Sequence, residues 1–213
     1  MYTPESFKLT DKNRIFNLID RFPFATIFSQ HTGKACATHL PLVLDRKKEL
    51  LIGHFARPND QWNDLAQQES LIVFQGPHCY ISPTWYETKM AVPTWNYVAV
   101  HLYCQAEIID DPEELRDSLD GLVRKFEDGE NNYQMNHVDS DFIQKMFKGI
   151  AGVRFKINRI EAKQKLSQNH PEERKKRVID HLRALGDENS CAIAQLMEEN
   201  LKSFKKTEGR KEK

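Results

Sequence analysis

The sequence has no net charge, no long hydrophobic run and few residues that break secondary structure. Its 213 residues include 31 Lys and Arg against 31 Asp and Glu. That balance argues against a protein that coats DNA or a membrane surface, although it leaves room for a local basic patch. No stretch approaches the roughly 20 apolar residues of a membrane span. The nine Gly and nine Pro are scattered and form no low-complexity block.

The cysteines are also few, and their spacing points away from disulfides and zinc. Cys36, Cys79, Cys104 and Cys191 form no C-x-x-C element, so we expect ordinary buried or half-buried thiols. Eight histidines leave a mixed metal site open, but no metal ligand set is predicted. The N-terminus lacks the charged-then-apolar layout of a signal peptide, and we expect a cytoplasmic protein without a membrane anchor.

Short β-rich runs fill the first two thirds of the chain, and the remainder after about Pro171 is charged and helical in period. In the run from Val98 to Ile108, apolar residues alternate with polar ones, which is typical of a strand with one buried face. Six strands suggest a small barrel or sheet. The predicted strands are Phe24 to Ser29, Cys36 to Leu44, Leu50 to His54, Leu71 to Phe74, Val98 to Ile108 and Val153 to Ile160.

Helices are predicted in three places between the strands, followed by a helical hairpin at the C-terminal end. Gly186 stands where the cap of the first hairpin helix belongs. We predict a domain of residues 1–170, a hairpin of residues 171–206 and a flexible basic tail of residues 207–213, with a loop from Asp128 to Asn136. The three earlier helices are predicted after Arg57-Pro58 through Trp62 and Leu65, from Asp111-Pro112 through Phe126, and from Ser140 to Lys148.

Polar and aromatic residues replace aliphatic ones in four segments: Thr38 to Leu42, Gly53 to Trp62, Pro93 to Tyr97 leading into His101, and Lys163 to Asn169. Together they supply cations, amide donors and flat rings. A flavin mononucleotide (FMN) needs that set, because it combines a phosphate, a polar pyrimidine edge and a planar ring system.

Several of these residues have an alternative structural interpretation. Arg57 stands at a strand-to-helix junction suited to a phosphate, but Asp60 and Asp64 could satisfy the same helix end without a ligand. His39 lies in an apolar strand, where a hydrogen-bonded core histidine is the more common outcome. His101 shares a strand face with polar residues, as it would on a solvated barrel exterior.

The aromatic cluster His78-Cys79-Tyr80 with Trp85-Tyr86 could stack on a planar ligand or close a dimer interface. The motifs of serine hydrolases, nucleoside triphosphatases, zinc proteases and dinucleotide-binding enzymes are absent. No catalytic residue is predicted, and any chemistry would fall to a redox cofactor.

The chain carries an ordered series of motifs: Met1-Tyr-Thr-Pro4, Ala37-Thr-His-Leu-Pro-Leu42, Gly53-His-Phe-Ala-Arg57 with Gln61-Trp62, Gly76-Pro-His78, Tyr80-Ile-Ser-Pro83 with Trp85-Tyr86, Val92-Pro-Thr-Trp-Asn-Tyr97 with Val100-His101, and Lys165-Leu-Ser-Gln-Asn169. From Met1 to about Met197 this series resembles the PaiB-like, FMN-binding negative transcriptional regulators.

The resemblance implies a mainly β fold with helices, the FMN-binding split β-barrel related to the pyridoxamine phosphate oxidases. It also implies a homodimer with FMN at the subunit interface. In that superfamily a Ser-Arg-Lys type of phosphate grip is common, and here only Arg57 of Ala56-Arg57-Pro58 matches. The candidate cofactor-binding residues are Thr38, His39, His54, Arg57, Gln61, Trp62, Trp95, Tyr97, His101, Lys165 and Ser167.

One departure from the family pattern concerns Tyr103-Cys104, which fill a place where family members tend to have Gly. Bulk there would narrow the flavin site, and we hypothesise that FMN binds weakly. Spectroscopy of the purified protein before and after FMN addition tests this hypothesis.

The residues and the resemblance leave three candidate functions open. The first is a negative regulator, as the resemblance implies. The second is a flavin-dependent oxidoreductase that reads its substrate with His101 or Tyr97, by superfamily analogy. The third is a flavin or small-molecule sensor whose C-terminal hairpin engages a regulatory protein. Direct DNA binding would fall to the helix after Gly186, where Glu198 and Glu199 would face phosphates unfavourably.

Overall fold

The computed structural model describes residues 1–127 and 133–208, and within these the chain forms eight β-strands and five α-helices. The strands are β1 (Lys8–Leu9), β2 (Phe24–His31), β3 (Lys34–Pro41), β4 (Val43–Asp45), β5 (Leu50–Ala56), β6 (Glu69–Ile81), β7 (Thr94–Ile109) and β8 (Ile150–Lys165). The helices are α1 (Lys12–Arg21), α2 (Pro112–Phe126), α3 (Ser140–Phe147), α4 (Glu172–Leu185) and α5 (Glu188–Glu208).

The strands form one sheet in the order β3-β2-β6-β7-β8-β5-β4, and β1 pairs with the end of β8. The pairs β2 with β3, β2 with β6, β4 with β5 and β5 with β8 are antiparallel. The predicted combination of a β-sheet with peripheral helices and a C-terminal helix pair is therefore confirmed.

The larger of two compact units comprises Asp11–Gln75 and Val100–Glu161. Its core comes from alternate strand residues, as the period of two dictates. Phe155 and Val153 on β8 are fully buried, which confirms the predicted core side of that strand. Gly53 on β5 permits close packing: a Cβ atom there would lie 2.6 Å from Leu42 Cδ2 and 3.1 Å from the Pro41 carbonyl oxygen.

The smaller unit comprises Met1–Thr10, Gly76–Ala99 and Ala162–Lys213. Its core is formed by the facing stripes of α4 and α5, where Val178, Leu182, Ile193 and Met197 are almost completely buried. Gly186 adopts a left-handed φ of 73° after α4, the conformation that glycine accepts at a helix C-terminus. The predicted hairpin and its cap are therefore confirmed.

The structure corrects several element predictions. The α1 helix was not predicted, although Asp11 caps it by accepting from the Arg14 N–H and its apolar residues have helical spacing. The segment Asp60–Gln67 is a 3₁₀-helix rather than an α-helix, capped by Asn59. The predicted strand Cys36 to Leu44 is two strands, β3 and β4, and β6 extends beyond its predicted end to Ile81.

The predicted loop and the predicted flexible tail are described in part. Residues 135 and 136 of the predicted loop belong to a single 3₁₀ turn, Met135–His137, and residues 128–132 lie outside the described residues. In the predicted tail, Thr207 and Glu208 belong to α5, and residues 209–213 lie outside the described residues. The predicted division after residue 170 stays a prediction. Across residues 1–127 and 133–208, each helix is too short or too polar to serve as a membrane span.

An ion pair attaches the segment after the 3₁₀ turn Pro83–Trp85 to α4. Arg174 Nη2 lies 2.5 Å from Glu87 Oε1, and Arg174 Nε donates to the same oxygen at 3.0 Å. The hydrogen bonds from Arg174 lower the pKa of Glu87 to about 2. Because the unfolded pKa of glutamate is about 4.3, the carboxylate stabilises the fold above that pH, and its contribution is lost as the pH falls towards 2.

We therefore expect Glu87→Gln to lower the thermal unfolding midpoint at pH 7, and the difference from the wild type to disappear on acidification towards pH 2. Midpoints measured for both proteins across this range check the prediction. A difference that stays constant with pH would contradict the role of the ionised pair.

Candidate functional site

Two of the predicted site residues in the larger unit, Thr38 and Gln61, take part in one hydrogen-bond network. Thr38 Oγ1 donates to Gln61 Oε1 at 2.6 Å and accepts from Asn59 Nδ2 at 2.8 Å. Gln61 Nε2 donates to the Ile27 carbonyl at 3.0 Å and to Ser29 Oγ at 2.9 Å. Gln61 is only 4% exposed. These groups satisfy each other and fasten the 3₁₀-helix to β2 and β3, which is what buried polar side chains require.

Arg57 lies beside this network and binds backbone at the end of α3. Its Nε donates to the Lys148 carbonyl at 3.1 Å, and its Nη2 donates to the Ile150 carbonyl at 2.7 Å. The Arg57 N–H also donates to the Gly149 carbonyl at 2.8 Å. A cation at a helix C-terminus satisfies free carbonyls and complements the helix dipole. Arg57 therefore has a structural role, and its phosphate contact stays a prediction.

The variant Arg57→Met distinguishes a structural role of Arg57 at α3 from phosphate binding, because it keeps an apolar side chain but removes the hydrogen-bond donors. If the residue serves α3, we expect faster amide exchange in residues 140–150 and an FMN affinity within about threefold of the wild type. Hydrogen exchange and an FMN titration on the same preparation measure both. A loss of affinity of about tenfold or more, the scale of a charge-assisted hydrogen bond, would instead restore Arg57 as a phosphate ligand.

Trp62 and three predicted histidines lie at separate places in the larger unit. Trp62 Nε1 donates to the Arg57 carbonyl at 3.0 Å. His54 on β5 has a buried Nδ1 that finds no hydrogen-bond partner among the described residues, and burial lowers the pKa of its ring. His39 is exposed and stacks on Phe24, with ring centroids 6.3 Å apart, so it is not a core histidine.

His101 on β7 is half-buried, and burial lowers the pKa of its ring. Two further residues of this strand, Tyr103 and Cys104, face opposite sides of the sheet. The Tyr103 ring lies under Arg159, whose Cζ is 3.4 Å from the ring centroid, whereas Cys104 is fully buried and its pKa is raised to about 12 by burial. The bulk of Cys104 therefore fills the core. The predicted weakening of FMN binding by these two residues stays a prediction.

The smaller unit brings Trp95, Tyr97 and Lys165 to one surface, which we call the aromatic-cationic face. Trp95 is 52% exposed, and its ring centroid lies 6.2 Å from that of His78 and 6.1 Å from that of Tyr80. The face consists of His78 and Tyr80 on β6, Trp95 and Tyr97 on β7, and Lys163 and Lys165 on β8.

The two lysines of this face form no ion pair with a carboxylate in the part of the chain that the structure describes. Lys163 is 7% exposed; its ammonium lies 5.2 Å from the Tyr97 ring centroid and donates to the Tyr2 carbonyl at 3.2 Å. Lys165 donates to Thr94 Oγ1 and to the Trp95 carbonyl. Burial and the charge of Lys163 lower the pKa of Lys165. Two adjacent cations without an acid favour binding of an anion.

Ser167 follows these lysines but is buried, with 3% of its surface exposed. Its Oγ accepts from Asn96 Nδ2 at 3.1 Å. Gln168 holds the same turn, since its Oε1 accepts from the Leu166 N–H at 2.7 Å. The contacts described for Ser167 and Gln168 are therefore structural. A contact of Ser167 with a cofactor stays a prediction.

The aromatic-cationic face fits the chemistry of FMN. An exposed indole bordered by two further rings offers a stacking surface, and two ammonium groups without an acidic partner in the described residues match a phosphate. The sequence leaves the rings of His78 and Tyr80 open between a ligand and an interface, and it places Lys163 in a polar segment but not among the candidate cofactor-binding residues. The alternation of β8 could have revealed Lys163, because it shares a strand face with Lys165.

The other aromatic residues of the predicted cluster have structural partners. Trp85 stacks on His181 of α4 with ring centroids 5.3 Å apart, and Tyr86 is buried beneath Arg174. They attach the segment before β7 to the hairpin. His78 and Tyr80 of the same cluster are exposed.

Comparison with known proteins gives matches in both sequence and structure. The family model described as "Putative FMN-binding domain" matches residues 1–159. The Bacillus subtilis (strain 168) protein named "Protease synthase and sporulation protein PAI 2" is 38% identical over 206 residues, which cover 95% of this chain and 99% of that protein.

Two solved structures share the fold at low sequence identity. The FAD and heme binding protein from Mycobacterium smegmatis is 15% identical, with a TM-score of 0.59 over 79% of this chain and 78% of its own. The flavocytochrome Anf3 from Azotobacter vinelandii is 16% identical, with a TM-score of 0.52 over 74% and 69% of the two chains. The predicted flavin split-barrel fold is confirmed.

Proposed function

The chain belongs to the FMN-binding domain family, and from this premise we propose that it is a PaiB-type negative transcriptional regulator of protease synthesis and sporulation that uses bound FMN. The proposal rests on the aromatic-cationic face of the smaller unit, which carries Trp95, Tyr97 and Lys165 of the motifs that resemble the family. It is further supported by the 38% identity to the Bacillus subtilis protein over nearly the whole of both chains.

In this proposal, Trp95 supplies the main stacking surface for the flavin ring, and Lys163 and Lys165 attract the phosphate. The Trp95 ring is 52% exposed, and the two lysines have no carboxylate partner in the described residues. Lys165 uses two donors on Thr94 and Trp95, so its third N–H remains for a ligand.

Bound FMN would supply one- or two-electron redox chemistry, and so could report the redox state of the cell. The residues of the face bind and orient the ring. The six residues of the face include no thiol or carboxylate that would serve as a nucleophile or a general base. The arrangement therefore favours a bound sensor group over turnover, and the oxidoreductase alternative gains no support from it.

We also propose that the protein acts as a cytoplasmic homodimer. A second exposed apolar surface supports the self-association: on the β2–β3 pair, Phe24 is 63% exposed and Phe28 is 42% exposed. Large apolar side chains on one sheet face are typical of a protein interface. Sedimentation of the purified protein checks the dimer.

The charges of the hairpin favour a protein partner over direct DNA binding. The basic run of α4 is largely neutralised: Arg174 pairs with Glu87, Lys176 with Glu172, and Arg177 with Glu173. On α5, Glu198 pairs with Arg183. Cations held by carboxylates are poorly available for phosphate contacts. We propose that regulation proceeds through a regulatory protein bound by the hairpin.

Flavin titration and a DNA-binding assay together test this function. We expect the purified protein to quench FMN fluorescence with one flavin per chain, and to form no specific complex with promoter DNA even at low salt, where phosphate contacts are strongest. Absence of flavin binding would overturn the cofactor role. A sequence-specific, salt-sensitive complex would overturn the indirect route but leave the regulatory role intact.

A further inference from the structure

The strand that carries Trp95 and Tyr97 has a second face, and this face contacts the C-terminal hairpin. Side chains of a strand alternate between its two sides. Trp95 is exposed, Tyr97 is half-buried, and Asn96 between them is completely buried. The residue between the two ligand-facing rings is therefore in the interior of the smaller unit.

In this interior, Asn96 contacts both the turn that follows β8 and the helix α5. Its Nδ2 donates to Ser167 Oγ at 3.1 Å and lies 3.5 Å from Met197 Sδ, and its Oδ1 accepts from Ser167 Oγ at 3.3 Å. Met197 is a buried residue of α5. A buried amide must be hydrogen-bonded, so the position of β7 is tied to that of the turn and of the helix.

The turn from Lys165 to Gln168 holds the start of β7 from both sides. On the outer side Lys165 donates to the Trp95 carbonyl at 2.9 Å, and on the inner side Ser167 bonds Asn96. Ser167 has a φ of 61°, a left-handed conformation that serine rarely adopts. Such a conformation persists only where neighbouring contacts enforce it, so a change in those contacts can alter the turn.

We propose that Asn96 is a positioning residue that couples FMN binding on the aromatic-cationic face to the α4–α5 hairpin, through Ser167 and Met197. The proposal rests on the proposed function, since it takes the flavin as the ligand of that face. A phosphate that engages Lys165 and a ring that stacks on Trp95 both act on the start of β7. Asn96 transmits the effect to the helix that presents the regulatory surface.

The coupling requires that FMN bind more tightly to one arrangement of the hairpin than to others. By reciprocity, a partner that binds the hairpin then changes the FMN affinity by the same factor. An apolar side chain at position 96 could fill the same space without directional bonds. The amide instead fixes one register between strand, turn and helix.

Hydrogen exchange of the α4–α5 amides, with and without saturating FMN, tests the coupling in the full chain. In the wild type we expect FMN to slow exchange about fivefold or more, the lower end of typical coupling between sites. In Asn96→Ala we expect this effect to be lost at an FMN concentration that saturates the variant. Ser167→Ala removes the same bond from the other side and should behave alike if Asn96→Ala folds poorly.

Ser190→Ala is the matched control, because Ser190 is a buried serine of the same hairpin whose N–H donates to Asp187, and in the described part of the chain it has no hydrogen bond to Asn96. It should keep the FMN effect. Wild-type protein that binds FMN without any change in hairpin exchange would overturn the coupling and leave the proposed function intact. A full FMN effect in Asn96→Ala would also overturn it. Failure of the wild type to bind FMN at all would overturn both.

Discussion

Replacing Trp95 by alanine is expected to weaken FMN binding roughly ten- to hundredfold. Stacking of a planar base on an aromatic side chain is worth about 1–3 kcal/mol by alanine substitution, and about 1.4 kcal/mol corresponds to a tenfold change in affinity. Trp95 is 52% exposed, so its removal should cost little stability. Fluorescence titration of FMN against the wild type and the variant gives the two dissociation constants.

The variant Lys165→Gln tests the contribution of the phosphate contact to FMN binding. Glutamine keeps a donor for the Trp95 carbonyl but removes the positive charge, and we expect a further loss of about tenfold, because hydrogen bonds to charged groups contribute about 1.5–3 kcal/mol. The loss should be smaller for riboflavin, which lacks the phosphate. An equal loss for both ligands would argue that Lys165 supports the face rather than the phosphate.

Trp62→Ala is the control for these variants. Trp62 is the other tryptophan among the predicted site residues, but its indole donates to the Arg57 carbonyl in the larger unit. We expect its FMN affinity to stay within about threefold of the wild type. If Trp62→Ala abolished binding and Trp95→Ala did not, the flavin would belong to the residues around Arg57, and the aromatic-cationic face would need another ligand.

Replacing Phe155 by alanine is expected to have the largest effect on stability, lowering the free energy of unfolding by about 3–5 kcal/mol. Phe155 is fully buried on β8, opposite Leu51 of β5. Deleting the ring removes apolar contacts and leaves a cavity in the core of the larger unit. Urea denaturation, with the midpoint and slope compared between proteins, measures the change.

Phe142→Ala provides the control for core packing. Phe142 lies on α3 and is 54% exposed, and exposed substitutions usually change stability by no more than about 0.5 kcal/mol. Two phenylalanines of the same chain should therefore differ severalfold in their effect. Equal shifts for the two variants would contradict the placement of Phe155 in the core.

Much of the fold could be predicted because its signals are local. The alternation along β7 predicted its buried side, and Val98, Val100 and Leu102 are indeed almost completely buried. Asp111 followed by Pro112 predicted the start of α2, and Gly186 the end of α4. Each signal depends on residues within one turn or one strand, where propensity, capping and period act directly.

The missed elements show where local signals failed. The α1 helix has a cap and a helical stripe, but it is only ten residues long and follows a very short strand. The segment Asp60–Gln67 has a helical pattern, yet its hydrogen bonds are those of a 3₁₀-helix. There the Asn59 cap and the bonds of Gln61 to Thr38 and Ile27 determine the geometry, and those partners are distant in sequence.

The candidate site residues show the same difference between what local sequence indicates and what distant contacts determine. The sequence identified the residue types that suit FMN, and with them the family. It could not distinguish Arg57, whose guanidinium binds carbonyls 91 and 93 residues away, from Lys165, whose ammonium remains without an acidic partner in the described residues. Nor could it show that Ser167 faces the interior.

By itself, then, the sequence determined the strand periods, the helix caps, the C-terminal hairpin and the membership of an FMN-binding family, because these depend on the order and type of neighbouring residues. Only the tertiary structure decided which cations are already neutralised, which rings remain exposed, and that Asn96 meets Met197 across 101 residues of sequence. Those properties depend on which distant groups come within a few ångströms, since burial and hydrogen bonding are set by such contacts.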